Sequence, residues 1–222
     1  MGLAGFGIGL VSLAFLPYIM APAEAIVLMT LYAAVFALAI FLPVRRDFVP
    51  ARVAGLLIGT VVGTPLGVWA LARLPATALN RLIGLMLAIA VLLEWRGLFP
   101  GTLEGRRWAV GAGILAGVIG GAVGTPGPPV VLYATTQGWG PRTIKANLQG
   151  FFVANQVVIL AGYGWAGLLT REVWRFAAVF AAPAIAGLAL GVGLFDRIDA
   201  VRFRRTVFAL LFVSGLVLLV RG

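Results

Sequence analysis

The sequence predicts an all-α, polytopic membrane protein with about eight hydrophobic segments in two repeated halves. Three observations carry that prediction. Hydrophobic residues make up 62% of the 222, against about 45–50% apolar usage in soluble domains. Charged residues are only 11%, where about 25% is usual. The apolar residues also gather into runs close to the ~20 residues that cross a bilayer core as a helix. A soluble chain of this size must carry more surface charge, and a disordered one needs low hydrophobicity. The ~10-residue alternating segments of a membrane barrel are not seen.

In order, the apolar stretches are 3–19, 23–43, 52–72, 77–95, 108–124 continuing through 128–137, 143–163, 173–194 and 203–220. Six read as full spans; the first and the fifth differ. The chain opens Met1-Gly2-Leu3 with no basic region ahead of its apolar residues, so no separate signal peptide is read there. The fifth stretch carries Gly120, Gly121, Gly124, Thr125, Pro126, Gly127, Pro128 and Pro129. Proline removes amide donors and glycine removes side-chain bulk. Two shorter helices joined by an irregular turn are expected, which a membrane protein tolerates only beside protein or a water-filled cavity.

The halves are predicted at 1–97, shortened at its start, and 108–222, with a linker at 98–107. Gly2, Gly5 and Gly9 match Gly117, Gly120 and Gly124 at one constant offset; Gly63, Gly67, Arg73 and Arg81 match Gly187, Gly191, Arg197 and Arg205 at another. If every stretch crosses, the halves run parallel and the basic residues divide almost evenly. If the fifth stretch is re-entrant, the halves become inverted repeats, a common transporter plan. Arg45, Arg46, Arg52, Arg96, Arg106, Arg107, Arg142, Lys145, Arg197, Arg202, Arg204 and Arg205 then share one side. Arg73, Arg81, Arg171, Arg175 and Arg221 take the other. This twelve-to-five split fits the positive-inside rule. The inverted, re-entrant layout is the expectation, with the basic side cytoplasmic.

The net charge is +10, but the basic residues are scattered. They read as anchors in anionic membrane lipid rather than contacts to nucleic acid. Cysteine and histidine are absent, which removes thiolate chemistry, the commonest metal ligand and the usual proton shuttle. No catalytic residue, metal or cofactor is predicted. Glu24 follows Pro22 in a first helical turn, where the helix dipole favours an acid.

Half-helix N-termini combine unpaired N–H groups with a positive dipole end, and two near the midplane would hold an anion without any fixed charge. The candidate substrate-binding residues follow from this. Gly5, Gly7 and Gly9 form the first-half turn; Gly121, Gly124, Thr125 and Gly127 form the second. Tyr133 and Gln137, at i and i+4, line the end of the fifth stretch. Lys145, Asn147 and Gln149 begin the next span after Pro141, with Asn155 and Gln156 further along it; polar groups inside lipid are costly and point to protein or water. The plainer reading is that Lys145 snorkels to headgroups while the amides join helices.

These glycine-rich entries, Gly2-Leu-Ala-Gly-Phe-Gly-Ile-Gly9 and Gly117-Val-Ile-Gly-Gly-Ala-Val-Gly-Thr-Pro-Gly-Pro-Pro129, precede spans opening Pro22-Ala-Glu-Ala and Pro141-Arg-Thr-Ile-Lys-Ala. In these features the whole chain resembles the sulfite exporter TauE/SafE family, also described as sulfonate uptake permeases. The resemblance implies a multi-pass cell inner-membrane protein that moves sulfite, a sulfonate or a related small anion by alternating access between two helical repeats. It departs from the family in lacking a full apolar lead before Gly2 and in carrying Gly127-Pro128-Pro129 in place of a more glycine-rich loop. The alternatives are a membrane subunit for structure or assembly without transport activity, and an intramembrane enzyme. A homo-oligomer is left open.

Overall fold

The computed structural model describes residues 12–96, 103, 105–194 and 200–221, and no strand occurs among them. A 3-10 turn at Leu16–Tyr18 precedes α1 (Pro22–Val44), and a second at Arg45–Asp47 leads into α2 (Pro50–Arg73). Then follow α3 (Ala76–Arg96), α4 (Arg106–Val123), α5 (Gly127–Thr135), α6 (Pro141–Trp165), α7 (Arg171–Leu194) and α8 (Ala200–Arg221). Pro22, Pro50 and Pro141 each occupy a first helical position. There the missing N–H is one the helix leaves unpaired anyway, and the fixed φ suits the turn. Among the described residues, Pro22–Asp47, Pro50–Arg73 and Pro141–Trp165 are long and apolar enough to cross a membrane. Ala76–Ile89 and Leu211–Val220 are shorter apolar helical stretches.

The closest packing joins α2 to α4. Gly55, Gly59, Gly63 and Gly67 recur every fourth residue on α2; Ala109, Gly113, Gly117 and Gly121 do the same on α4. A Cβ on Gly59 would strike the Val110 carbonyl, and one on Gly113 would strike that of Leu56. A Cβ on Gly117 would come within 2.6 Å of the Thr60 oxygen. Contacts advance in step along both chains, so the two helices run parallel with their backbones touching. Small residues at this spacing are how helices associate where no hydrophobic drive separates them from lipid.

Parallel α2 and α4 fix the remaining directions. The starts of α2, α4 and α6 share one end with Arg45, Arg46, Arg52, Arg106, Arg107, Arg142 and Lys145, here called the basic end. α1 arrives at it from the far end. The α1–α6 pair is antiparallel: Phe48, just past α1, packs on Gly150 near the start of α6. The α3–α8 pair is antiparallel too, with Gly84 against Gly215 and Leu219. Exposed Trp108 marks the basic end, while exposed Trp69, Trp165 and Trp174 mark the far end, as interfacial tryptophans do.

The expected interruption is present. α4 stops at Val123, and Gly124 takes the left-handed conformation (φ 72°) while its N–H bonds the Gly120 carbonyl at 2.8 Å. Thr125 and Pro126 turn the chain, and α5 restarts at Gly127. The chain then comes back to where it entered. The Gln137 amide donates to the Leu103 carbonyl at 2.7 Å, and the Leu103 N–H donates to Thr136 Oγ1 at 3.3 Å. α4 and α5 thus form a hairpin open at the basic end, the geometry of a re-entrant pair.

Candidate functional site

Buried apolar side chains fall into two clusters. One, toward the far end, includes Ile26, Met29, Val68, Leu71, Val123, Ile159 and Tyr163. The other, toward the basic end, includes Ala37, Val53, Leu56, Ala116, Val130, Tyr133 and Phe151. Buried polar residues occupy the seam. On α2, Thr60 and Thr64 fall between Leu56 and Val68; on α6, Asn155 and Gln156 fall between Phe152 and Ile159. On the α4–α5 hairpin, Thr125 lies between Val123 and Val130, and on α1 Thr30 follows Met29. Four elements therefore carry buried polar groups in the stretch between the two apolar clusters.

These groups are unevenly satisfied. Thr60 Oγ1 donates to the Gly113 carbonyl at 3.3 Å, and Thr30 Oγ1 to that of Ile26 at 2.9 Å. Asn155 is wholly buried, and among the described residues neither its Oδ1 nor its Nδ2 has a hydrogen-bond partner. Gln156 Oε1 and Thr64 Oγ1 are likewise buried without one. Leaving such groups unmatched costs about 1–3 kcal/mol each. Asn155 shares a helical face with Ile159, one turn on. Ile159 Cδ1 lies 2.8 Å from where a Cβ on Gly120 would stand, and Pro126 is at 3.0 Å from the same point. Asn155 therefore lies on the α6 face that addresses the hairpin turn.

The turn itself is buried from Gly120 through Gly127. α4 ends with carbonyls that no further helical turn can bond. Tyr163 at the end of α6 supplies the missing donor: its hydroxyl is 2.9 Å from the Gly121 oxygen and 3.3 Å from that of Gly120. Among the described residues, Thr125 Oγ1 donates to the Met86 sulfur at 3.5 Å, a weak acceptor. The opening of α5 brings its dipole to this level, but Pro126, Pro128 and Pro129 have no N–H. Amide donors there come from Thr125, Gly127 and Val130 alone.

The predicted site residues separate into groups. Gly124, Thr125 and Gly127 meet at the buried turn. Gly121 joins them, but its bare Cα serves helix contact, with Val68 N 2.9 Å from a Cβ there. Tyr133 and Gln137 sit at the other end of α5, on a cavity of about 470 Å³ shared with Arg52, Arg106 and Trp139. Tyr133 lies six residues past Gly127 along α5, about 9 Å at 1.5 Å per residue, and Gln137 lies beyond the helix end. Lys145 is exposed in the first turn of α6. Asn147 is buried, and its Oδ1 accepts the Val49 N–H at 2.9 Å, tying α6 to the α1–α2 connection. Gln149 is buried on the Gln156 side of α6. Gly5, Gly7 and Gly9 lie outside the described residues. Tyr163, Thr60 and Thr64 were not singled out from sequence. A tyrosine near a span end reads as an interface aromatic, and threonine in an apolar run carries little signal of its own.

The family model for the sulfite exporter TauE/SafE matches residues 1–218. The chain belongs to the TauE/SafE family. Membership makes it an integral membrane protein and implies membrane transport of sulfur-containing anions. No curated protein and no solved structure matches the chain.

Proposed function

We propose that this TauE/SafE protein is a multi-pass carrier of the cell inner membrane. In this reading it binds a small anion, sulfite, a sulfonate or a close relative, at the seam between the two hydrophobic clusters. The observation that carries the proposal is the polar level itself, above all the fully buried Asn155 facing the broken α4–α5 hairpin. A sulfur oxyanion presents several acceptor oxygens around a tetrahedral or pyramidal centre. Asn155 Nδ2, the Thr125 hydroxyl and the Gly127 N–H are the donors that suit it, and the dipole of α5 favours its charge. With no cation beside these donors among the described residues, the anion is held by neutral groups and so is released at little cost, as a carrier requires.

The transport unit is two inverted repeats, 1–97 and 108–222, joined by 98–107. Supporting this, the matched helices α1 and α6 run in opposite directions, as do α3 and α8, and each pair packs together. A two-fold axis in the membrane plane relates helices in this way, and rocking of one repeat against the other then alternates access to the central site. The basic end faces the cytoplasm by the positive-inside rule.

Two measurements test the reading. Asn155→Leu is expected to reduce sulfite or sulfonate flux into liposomes at least about tenfold, the equivalent of one lost charge-assisted hydrogen bond. Its thermal stability should be equal to or above wild type, because two unmatched polar atoms leave the core. Unchanged flux would remove Asn155 from the site, and absence of flux with any anion in the wild type would favour a non-transporting subunit. Cysteines introduced at Arg106 and Arg142 should react with an impermeant reagent from the same face. Reaction from opposite faces would end the re-entrant arrangement and with it the inverted layout.

A further inference from the structure

We propose that the cavity at the basic end, between the starts of α2 and α4 and the end of α5, binds the phosphate of an anionic phospholipid. It is distinct from the polar level, lying at the open mouth of the hairpin. Arg52 and Arg106 line it together with Tyr133, Gln137 and Trp139. Neither arginine has an ion pair among the described residues, where the salt bridge is Arg175–Glu172. The Arg52 guanidinium stands 5.5 Å from the centre of the Trp139 ring, a cation–π contact that limits its freedom. Two guanidinium groups beside one concavity suit the planar, two-point recognition of a phosphate.

The wall of the cavity favours a lipid over a free ion. Ala54, Gly55, Ile58 and Ala109 make it apolar. From Ile58 an exposed stripe continues along α2 through Val62 and Leu66, with 46%, 63% and 59% of each side chain's residue surface open. These positions, one turn apart, run from the basic end toward the polar level and form a track for one acyl chain. Exposed Trp108 on α4 sets headgroup depth beside it. Basic pockets between helices on the cytoplasmic side are where acidic headgroups dock.

The test uses the full chain purified in nonionic detergent and incubated with equal amounts of phosphatidylglycerol and phosphatidylcholine, with retained lipid read by native mass spectrometry. Phosphatidylglycerol should be retained over phosphatidylcholine. Arg52→Gln and Arg106→Gln should each weaken retention about fivefold, the effect of one basic residue near an anionic surface. Arg171→Gln at the far end should leave retention unchanged, and Ile58→Ser with Val62→Ser should weaken it through the tail. Equal retention of the two lipids, or wild-type retention by the double arginine variant, would overturn the proposal. So would displacement of phosphatidylglycerol by millimolar inorganic phosphate with no effect of the serine changes, which would make this a free oxyanion site. Should the double variant not fold, thermal unfolding of the wild type decides. Phosphatidylglycerol should raise the midpoint more than phosphatidylcholine, and equal shifts would overturn the assignment.

Discussion

At its turn, the α4–α5 hairpin buries every residue from Gly120 to Gly127 and borrows a hydroxyl from α6 for its cut carbonyls. At its open end, the same hairpin is closed by Gln137 and Leu103 and looks onto two exposed arginines. The difference is one of solvent. Near headgroups a fixed cation is cheap, because water and lipid phosphate screen it. At depth a charge is costly, so in the proposed site the turn would offer an anion neutral donors and a helix dipole instead. On the two proposals made above, a single hairpin would hold two kinds of anion contact at two depths, one permanent and lipid-like, the other transient.

The comparison breaks most severely if the hairpin is pushed off α2. Gly113→Ala places a Cβ against the Leu56 carbonyl, and overpacking of this kind costs about 1–3 kcal/mol or more. Two residues earlier, Gly111 has open space around it. Gly111→Ala should instead raise stability by up to about 1 kcal/mol through helix propensity. Thermal unfolding in detergent should show the two substitutions with opposite signs. Equal and small shifts would mean that the α2–α4 backbone contact is looser than described.

The turn is next. Tyr163→Phe keeps the ring but removes the donor to the Gly121 carbonyl, a loss of about 1–3 kcal/mol for a buried acceptor left unmatched. Hydrogen exchange should rise at residues 120–127 while the open end near Gln137 stays protected. Uniform loosening of both ends would show that the hairpin responds as one unit and that its ends are not independent. The smallest effect belongs to Lys145→Ala. The side chain is exposed, so stability should stay within about 0.5 kcal/mol and anion flux close to wild type. A tenfold loss of flux would move the substrate site from the seam toward the basic end.

Much of this was legible in the residues. The proline-glycine run of 120–129 cannot continue a helix, and the break falls there. Pro22, Pro50 and Pro141 open helices because a first turn has no use for their N–H. The division of basic residues pointed to a re-entrant hairpin, and the Leu103–Gln137 closure is what the proposed re-entrant layout rests on. The candidate site was less legible. Tyr133 shares a helix with Gly127 but lies six residues along it, and Gln137 falls past the helix end. Gly63 and Gly67 of α2 and Gly117 of α4 were read as marks of an internal repeat; the structure also sets them in the α2–α4 contact, which the spacing alone did not announce.

Composition alone decided that this chain belongs in a bilayer and that its backbone must be helical, because free backbone groups have no water to bond there. Local chemistry decided where one helix must stop. Only the tertiary structure decided what that stop faces. Threonine on α2, asparagine on α6 and the turn of the hairpin lie far apart along the chain. They come into the same stretch of the core because parallel glycine rows lock α2 to α4 in register and α6 packs against both. Such a coincidence is a property of packed helices, and no single segment contains it.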